Sequence, residues 1–284
     1  MTIEQYRQQW LRYYKGYERY AYNEFRRAFK VWNNSIPFDE INENNYEVIL
    51  SNFEDLEPMN DAMYNVYDNV GYKSGKRTGQ GVNKQIREKF FNINVWDSQW
   101  KKAVDLFFLQ NGLKDVKLLQ STYNDYLIKL FADKFASGKT LYEVIEEMEK
   151  VVKQRNFYRW QTERIARTET TKSANYGSVV SGQVTGYVME KVWVSAQDPR
   201  TRGYNFSDKT DHYNMNGIKV GLYESFYLEQ NGIAGIARMD YPGDTQYNAT
   251  AGNIANCRCN IAVVPKRDSN GDLIPTASMD VTYV

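Results

Sequence analysis

The chain has 284 residues, with 36 Lys and Arg against 35 Asp and Glu and a formal net charge of +1. Balanced charge excludes a basic nucleic-acid coat and an acidic tail protein, and 42% hydrophobic against 25% charged residues excludes a disordered chain. Two Cys in this length build no disulfide framework, so the chain reads as intracellular and long enough to bury a core without staples. No run approaches the roughly 18 apolar residues of a membrane span, and the N-terminus lacks the apolar stretch of a signal peptide. The 23 Tyr beside a single His read as codon bias.

From Thr2 to Trp32, Tyr6, Trp10, Tyr14, Tyr17, Ala21, Phe25, Ala28, Phe29 and Trp32 recur at helical steps, which predicts a long helix with an aromatic core or interface stripe. Arg7, Arg12, Lys15, Glu18, Arg26 and Arg27 form its solvated face. Asn33 to Asn45 reads as a loop, and Pro58 with Gly75, Gly79 and Gly81 as interruptions of the helical pattern that follows. Asp97 predicts an N-cap and Gly112 a stop, with helix resuming from Leu113 to Phe135. Thr140 caps a further helix through Val151, and a last one runs from about Phe157 to Val184.

Beyond Gly186 the texture changes. Tyr187 to Ala196 alternates apolar and polar residues as a strand does, Ile218–Val220 and Ile261–Val264 are short strand candidates, and Tyr241-Pro242-Gly243-Asp244 is a turn. The expected fold is therefore α+β: a mostly α-helical N-terminal region (1–112), a helical segment (113–186), a small mixed domain (187–265) and an exposed tail (266–284).

Candidate chemistry is sparse. Gly138-Lys139-Thr140 is not a phosphate loop, because Asp133 stands where a glycine is needed and the context is helix to helix. Cys257 and Cys259, with His212 and Asp198 from the same section, supply the donors of a tetrahedral zinc site; the alternative is small buried cysteines and a hydrogen-bonded histidine. Zinc deaminases, zinc proteases and serine hydrolases are excluded, since their His- and Ser-centred motifs are absent. In Arg164-Ile165-Ala166-Arg167-Thr168-Glu169-Thr170, Arg167 and Glu169 cannot face each other on a helix; either the helix packs one face and solvates the other, or Arg167 and Glu169 reach into the neighbouring C-terminal module.

Six short motifs follow in order: Ile165-Ala166-Arg167-Thr168-Glu169, Lys191-Val192-Trp193-Val194-Ser195, Asp198-Pro199-Arg200-Thr201-Arg202, His212 to Gly217, Tyr241-Pro242-Gly243-Asp244 and Asn256-Cys257-Arg258-Cys259. Together they resemble the phage Mu F-type minor head proteins, also called head morphogenesis proteins, over about residues 164–265. On that resemblance Arg167, Thr168, Glu169, Trp193, Arg200, Arg202, Gly217, Pro242, Gly243 and Arg258 are motif residues. It implies a low-copy, non-enzymatic virion protein of a tailed bacteriophage, made in the host cytoplasm and placed inside the procapsid near the portal. Its partners would be portal and capsid proteins, and its role head assembly and DNA packaging or ejection. It also implies a zinc at His212, Cys257 and Cys259. The stretch between Arg202 and His212 is longer than the family pattern.

The aromatic N-terminal helix suits self-association or packing on another protein. Near-neutral charge argues against many phosphate contacts, leaving Arg155, Arg159, Arg164 and Arg167 for a modest, salt-sensitive contact with DNA. The rival reading is an enzyme acting on nucleic acid or nucleotide, with Arg167, Glu169, Asp198 and His212 in one cleft.

Overall fold

Thr2 starts the first helix with a reciprocal cap: its hydroxyl accepts from Gln5 N at 3.2 Å while the Gln5 side chain accepts from Thr2 N at 2.8 Å. The computed structural model describes residues 1–86, 91–154, 158–205, 207–229 and 235–276. Helix α1 (Ile3–Ser35) buries Trp10, Tyr14, Tyr17, Ala21, Phe25, Ala28, Phe29 and Trp32. That stripe packs inside this chain, against α3 (Glu57–Ile86) and α7 (Arg159–Gln183), so a second copy would have to use another face of α1. Before α3 lie a 3-10 turn (Phe38–Glu40) and the short α2 (Tyr46–Asn52), where a plain loop was expected to end near Asn45.

Helix α3 is unbroken through the glycines expected to interrupt it. Pro58 sits in its first turn, where a missing N–H costs no bond. Gly71, Gly75 and Gly79 stand four residues apart and carve a flat groove. A Cβ there would lie 2.3 Å from Trp100, 2.3 Å from Trp96 and 2.1 Å from Phe91 respectively. Burial of three aromatic rings outweighs the low helix propensity of glycine.

Helix α4 (Ile93–Phe107) is capped by Asn92, whose side chain accepts from Asn94 N at 2.9 Å. The expected cap, Asp97, lies inside the helix and accepts from the Tyr72 hydroxyl at 2.7 Å. Nor does Gly112 stop the chain: a π turn (Phe108–Gly112) leads directly into α5 (Leu113–Ala136). A side chain at 112 would collide with the Phe108 ring at 2.4 Å, so the glycine serves packing. The expected boundary after residue 112 therefore falls within one continuous helical run. Helix α6 (Leu141–Lys153) begins at Thr140 with the reciprocal Glu143 cap, as its sequence predicts.

The C-terminal part forms a three-stranded antiparallel sheet in the order β2 (Lys219–Gly221), β1 (Met189–Val194), β5 (Asn260–Pro265). Met189 pairs with Pro265 and Val194 with Asn260, and Glu190 pairs with Gly221. Both faces of β1 are covered. Trp193 faces the main core with Ile261 and Val263, while Val192, Val194 and Ala262 face outward and are roofed by Ile3 and Tyr6 of α1. A second hairpin, β3 (Phe226–Glu229) with β4 (Ile236–Met239), was not anticipated, because four-residue strands carry too little alternation to stand out. One turn of helix, α8 (Ala251–Ile254), precedes β5.

The tail is exposed at residues 266–272, 275 and 276, as expected. Up to residue 276 it folds back on the sheet, with Val188 N donating to Ile274 O at 2.8 Å and bridges joining Tyr187 to Pro275 and Arg267 to Leu273. The α+β architecture is as expected, and one apolar cluster runs from α1 through α7 into the sheet, including Cys257 and Cys259.

Candidate metal centre

Asn256 opens the cysteine turn in the left-handed region (φ 57°), a conformation Asn tolerates better than most residues. Its N–H donates to Thr168 Oγ1 at 3.1 Å. The next three carbonyls are each claimed by a helix side chain. Thr171 Oγ1 donates to Cys257 O, Trp10 Nε1 to Arg258 O at 2.8 Å, and Asn175 Nδ2 to Cys259 O at 3.2 Å. Two helices thus aim both thiols into one buried pocket of the core.

His212 meets them there. Its Nδ1 lies 3.5 Å from Cys257 Sγ and 3.6 Å from Cys259 Sγ, and all three residues are buried. The three ligand atoms lie within 4.8 Å of one another. A tetrahedral zinc with Zn–S about 2.3 Å and Zn–N about 2.0 Å separates neighbouring N and S ligands by about 3.6 Å. Donor set and spacing therefore fit, and the cluster is able to hold a metal ion. Asn253 Oδ1, 3.0 Å from His212 Nε2, accepts its N–H and leaves Nδ1 facing the sulfurs, the outer-shell support typical of metal-binding histidines. Among the described residues no fourth Cys, His, Asp or Glu joins the group.

The two thiols are electrostatically unequal. A hydrogen bond from Cys259, aided by His212 and by the Arg202 guanidinium, holds Cys257 well below the usual thiol range, whereas burial pushes Cys259 up. Trp193 packs edge-on against the His212 ring at 5.3 Å. Its indole N–H has no hydrogen-bond partner in reach, yet lies near enough to Cys259 to favour the thiolate.

Asp198, expected as a fourth ligand, is engaged elsewhere. It takes both guanidinium nitrogens of Arg258, at 2.7 and 2.6 Å, and accepts from Arg200 N at 3.0 Å. The Arg258 side chain holds Asp198 at a pKa of about 2, below its ordinary 3.8. A carboxylate with a depressed folded-state pKa stabilises the fold above its unfolded pKa and loses that contribution as pH falls through the folded one. Asp198→Asn should therefore cost about 1 kcal/mol at neutral pH, after discounting for its partial exposure. In urea titrations the gap between the two proteins should narrow as pH falls from about 4 through about 2, and a gap undiminished at pH 2 would refute this account.

The remaining motif residues lie apart in distinct roles. Arg167 pairs with Glu18 at 2.7 Å and Glu163 at 3.7 Å. Glu169 accepts from the Tyr67 hydroxyl at 2.8 Å and pairs with buried Lys172 at 3.3 Å, while Lys172 also meets Asp115. Burial raises the Glu169 pKa; it also pulls Lys172 down, but the Glu169 and Asp115 carboxylates outweigh it and hold that ammonium above its usual range. Arg202 reaches Ala255 O, Gly217 N donates to Trp193 O at 2.8 Å, and Pro242 O accepts from Asn175 at 2.9 Å. Gly243, at φ 90°, lies against the Lys172 backbone, 3.1 Å from where its Cβ would be.

Arg167, Glu169, Asp198 and His212 thus bind four separate partner sets and share no cleft. Arg155 and Phe157 lie outside the described residues. Sequence reading missed Trp10, Thr171, Asn175, Asn253, Lys172 and Asp115. The one available signal was the run of small polar residues from Thr170 to Ser178, which lacks the charged face of a surface helix and is buried throughout. No helix among the described residues is long and apolar enough to cross a membrane. Comparison with family models, curated proteins and solved structures finds no match to this chain.

Proposed function

We propose that the chain is a structural minor head protein of a tailed phage, acting inside the procapsid beside portal and capsid proteins in head assembly and DNA packaging or ejection. One observation carries the reading. The motifs that resemble the head morphogenesis family are far apart in sequence but touch one another in space. Thr168 holds Asn256, Asn175 ties Pro242 to Cys259, Asp198 grips Arg258, and Trp193 receives Gly217 and packs on His212. Chance matches to short motifs would scatter over the surface; these contacts join motifs remote in the chain around the cysteine turn.

The same unit holds zinc at His212, Cys257 and Cys259, where the metal supplies a cross-link that closes the turn on the loop before β2. Three protein donors leave one coordination position to water, but burial of all three keeps that position from substrate and favours a structural ion over a catalytic one. Dispersal of Arg167, Glu169, Asp198 and His212 supports this reading over the enzyme.

Mass spectrometry of purified virions and procapsids tests the assignment. The chain should appear in both at low copy relative to the major capsid protein. Its confinement to the soluble fraction of the lysate would overturn the reading.

A further inference from the structure

At 3.6 residues per turn, Arg12, Lys15, Arg19, Arg26 and Lys30 fall within about 60° of one another on α1. All five are exposed, and none pairs with a carboxylate among the described residues. The row runs along about 27 Å of straight helix. Glu4 and Glu24 lie off it, paired with Arg7 and Arg27. Beside the row, α7 adds Arg159 and Arg167 across a groove of about 750 Å³ that Lys15 and Arg19 also line. Its two carboxylates, Glu18 and Glu163, are already held by Arg167 and Arg159. Seven cations against two acids, five of the cations without a carboxylate partner among the described residues, gather on one face of a chain whose total charge is +1. The balanced composition conceals this asymmetry.

We propose that this α1–α7 face is a docking surface for duplex DNA, gripping its phosphate backbone without reading sequence. The inference rests on charge and shape alone, and stands whether or not the head-protein reading does. Five of the seven cations are arginines, whose planar fork matches phosphate oxygens. The row is straight and rigid, complementary to a stiff duplex that presents phosphates at about 3.4 Å per strand. Single-stranded binding needs a succession of stacking platforms, whereas this face exposes one large aromatic, Trp160 (56% exposed), with the Arg164 guanidinium 5.0 Å from its ring centre.

The test is fluorescence anisotropy with a labelled mixed-sequence duplex of about 30 bp, using the full chain at several salt concentrations. Wild type should lose about a thousandfold in affinity between about 50 and 200 mM salt. Arg12→Glu/Arg19→Glu/Lys30→Glu should weaken low-salt binding at least ~100-fold and flatten the log–log salt slope by about three. Its circular dichroism and melting should match wild type, because the three side chains are solvated. Absence of duplex binding by wild type at low salt, or an unchanged slope in the triple variant, would overturn the proposal. So would displacement of duplex by polyglutamate at equal charge, which would assign the face to an acidic protein. Tighter binding of a single strand that Trp160→Ala abolishes would overturn the duplex assignment. Zinc content and virion location do not enter these outcomes, so failure here leaves the proposed function standing or falling on its own test.

Discussion

Cys257→Ser/Cys259→Ser is expected to abolish metal binding and to destabilise the fold on the order of 5 kcal/mol, a fall in melting temperature of roughly 10 °C for a chain of this size. Wild-type protein should carry about one zinc by elemental analysis, and a strong chelator should reproduce the loss. The effect is large because few direct polar ties join the turn to the loop that carries His212: Arg258 to Asp198, Arg202 to Ala255 and His212 to Asn253. Two further variants separate ligand from neighbour. Asp198→Ala should retain full zinc, since its carboxylate serves Arg258. Asn253→Ala should bind zinc about ten- to a hundredfold more weakly, because His212 would lose the partner that orients its ring. Metal-free wild-type protein with undiminished stability would reduce the cluster to packing residues.

Gly177→Leu is expected to prevent α3 and α7 from docking and to leave little folded protein. A Cβ at 177 would lie 2.1 Å from Gly71 O and 2.9 Å from its Cα, both backbone atoms that cannot rotate away. Even Gly177→Ala should cost about 3 kcal/mol, at the upper end of overpacking, because two helix backbones must separate. Gly16→Ala is the matched control. It lies mid-helix in α1 with nothing within 4 Å of the added methyl, so it should stabilise by about 0.5–1 kcal/mol. Urea unfolding of the three variants measures all of this, and a Gly177→Ala protein as stable as wild type would show that the crossing is looser than described. The crossing matters for the site as well. Thr168, Thr171 and Asn175, which grip the cysteine turn, ride on the same α7 that Gly177 seats against α3.

Periodicity and caps carried the reading where a segment's environment is uniform along one face. The α1 stripe, the Thr140 cap, the α7 span, β1 and β5 all follow from local pattern, because burial of one face and satisfaction of end groups are local problems. Glycine was misread for the same reason. At 75, 79 and 112 its lack of a side chain accommodates aromatic rings from Trp96, Phe91 and Phe108, and the first two lie outside the helix that carries the glycine. No local rule separates a glycine that breaks a helix from one that makes room for a neighbour.

The candidate site divides along the same line. Donor chemistry is intrinsic to residue type, so Cys257, Cys259 and His212 stood out as soon as they were counted. Asp198 was an equally plausible oxygen donor by type and proximity, and only the folded arrangement assigns it to Arg258, whose fork binds both its oxygens. Glu169 likewise faces Tyr67 and Lys172 inside the helical layer, because a buried carboxylate requires a cation, here one turn along its own helix, and a donor, here supplied by α3. Net charge, a sum over residues, pointed away from DNA; the position of those charges along one solvated face of α1 and the start of α7 is a property of space. Residue type sets which chemistry is available, and packing sets which partners each group meets, because burial forces every polar atom to be matched by neighbours remote in the chain.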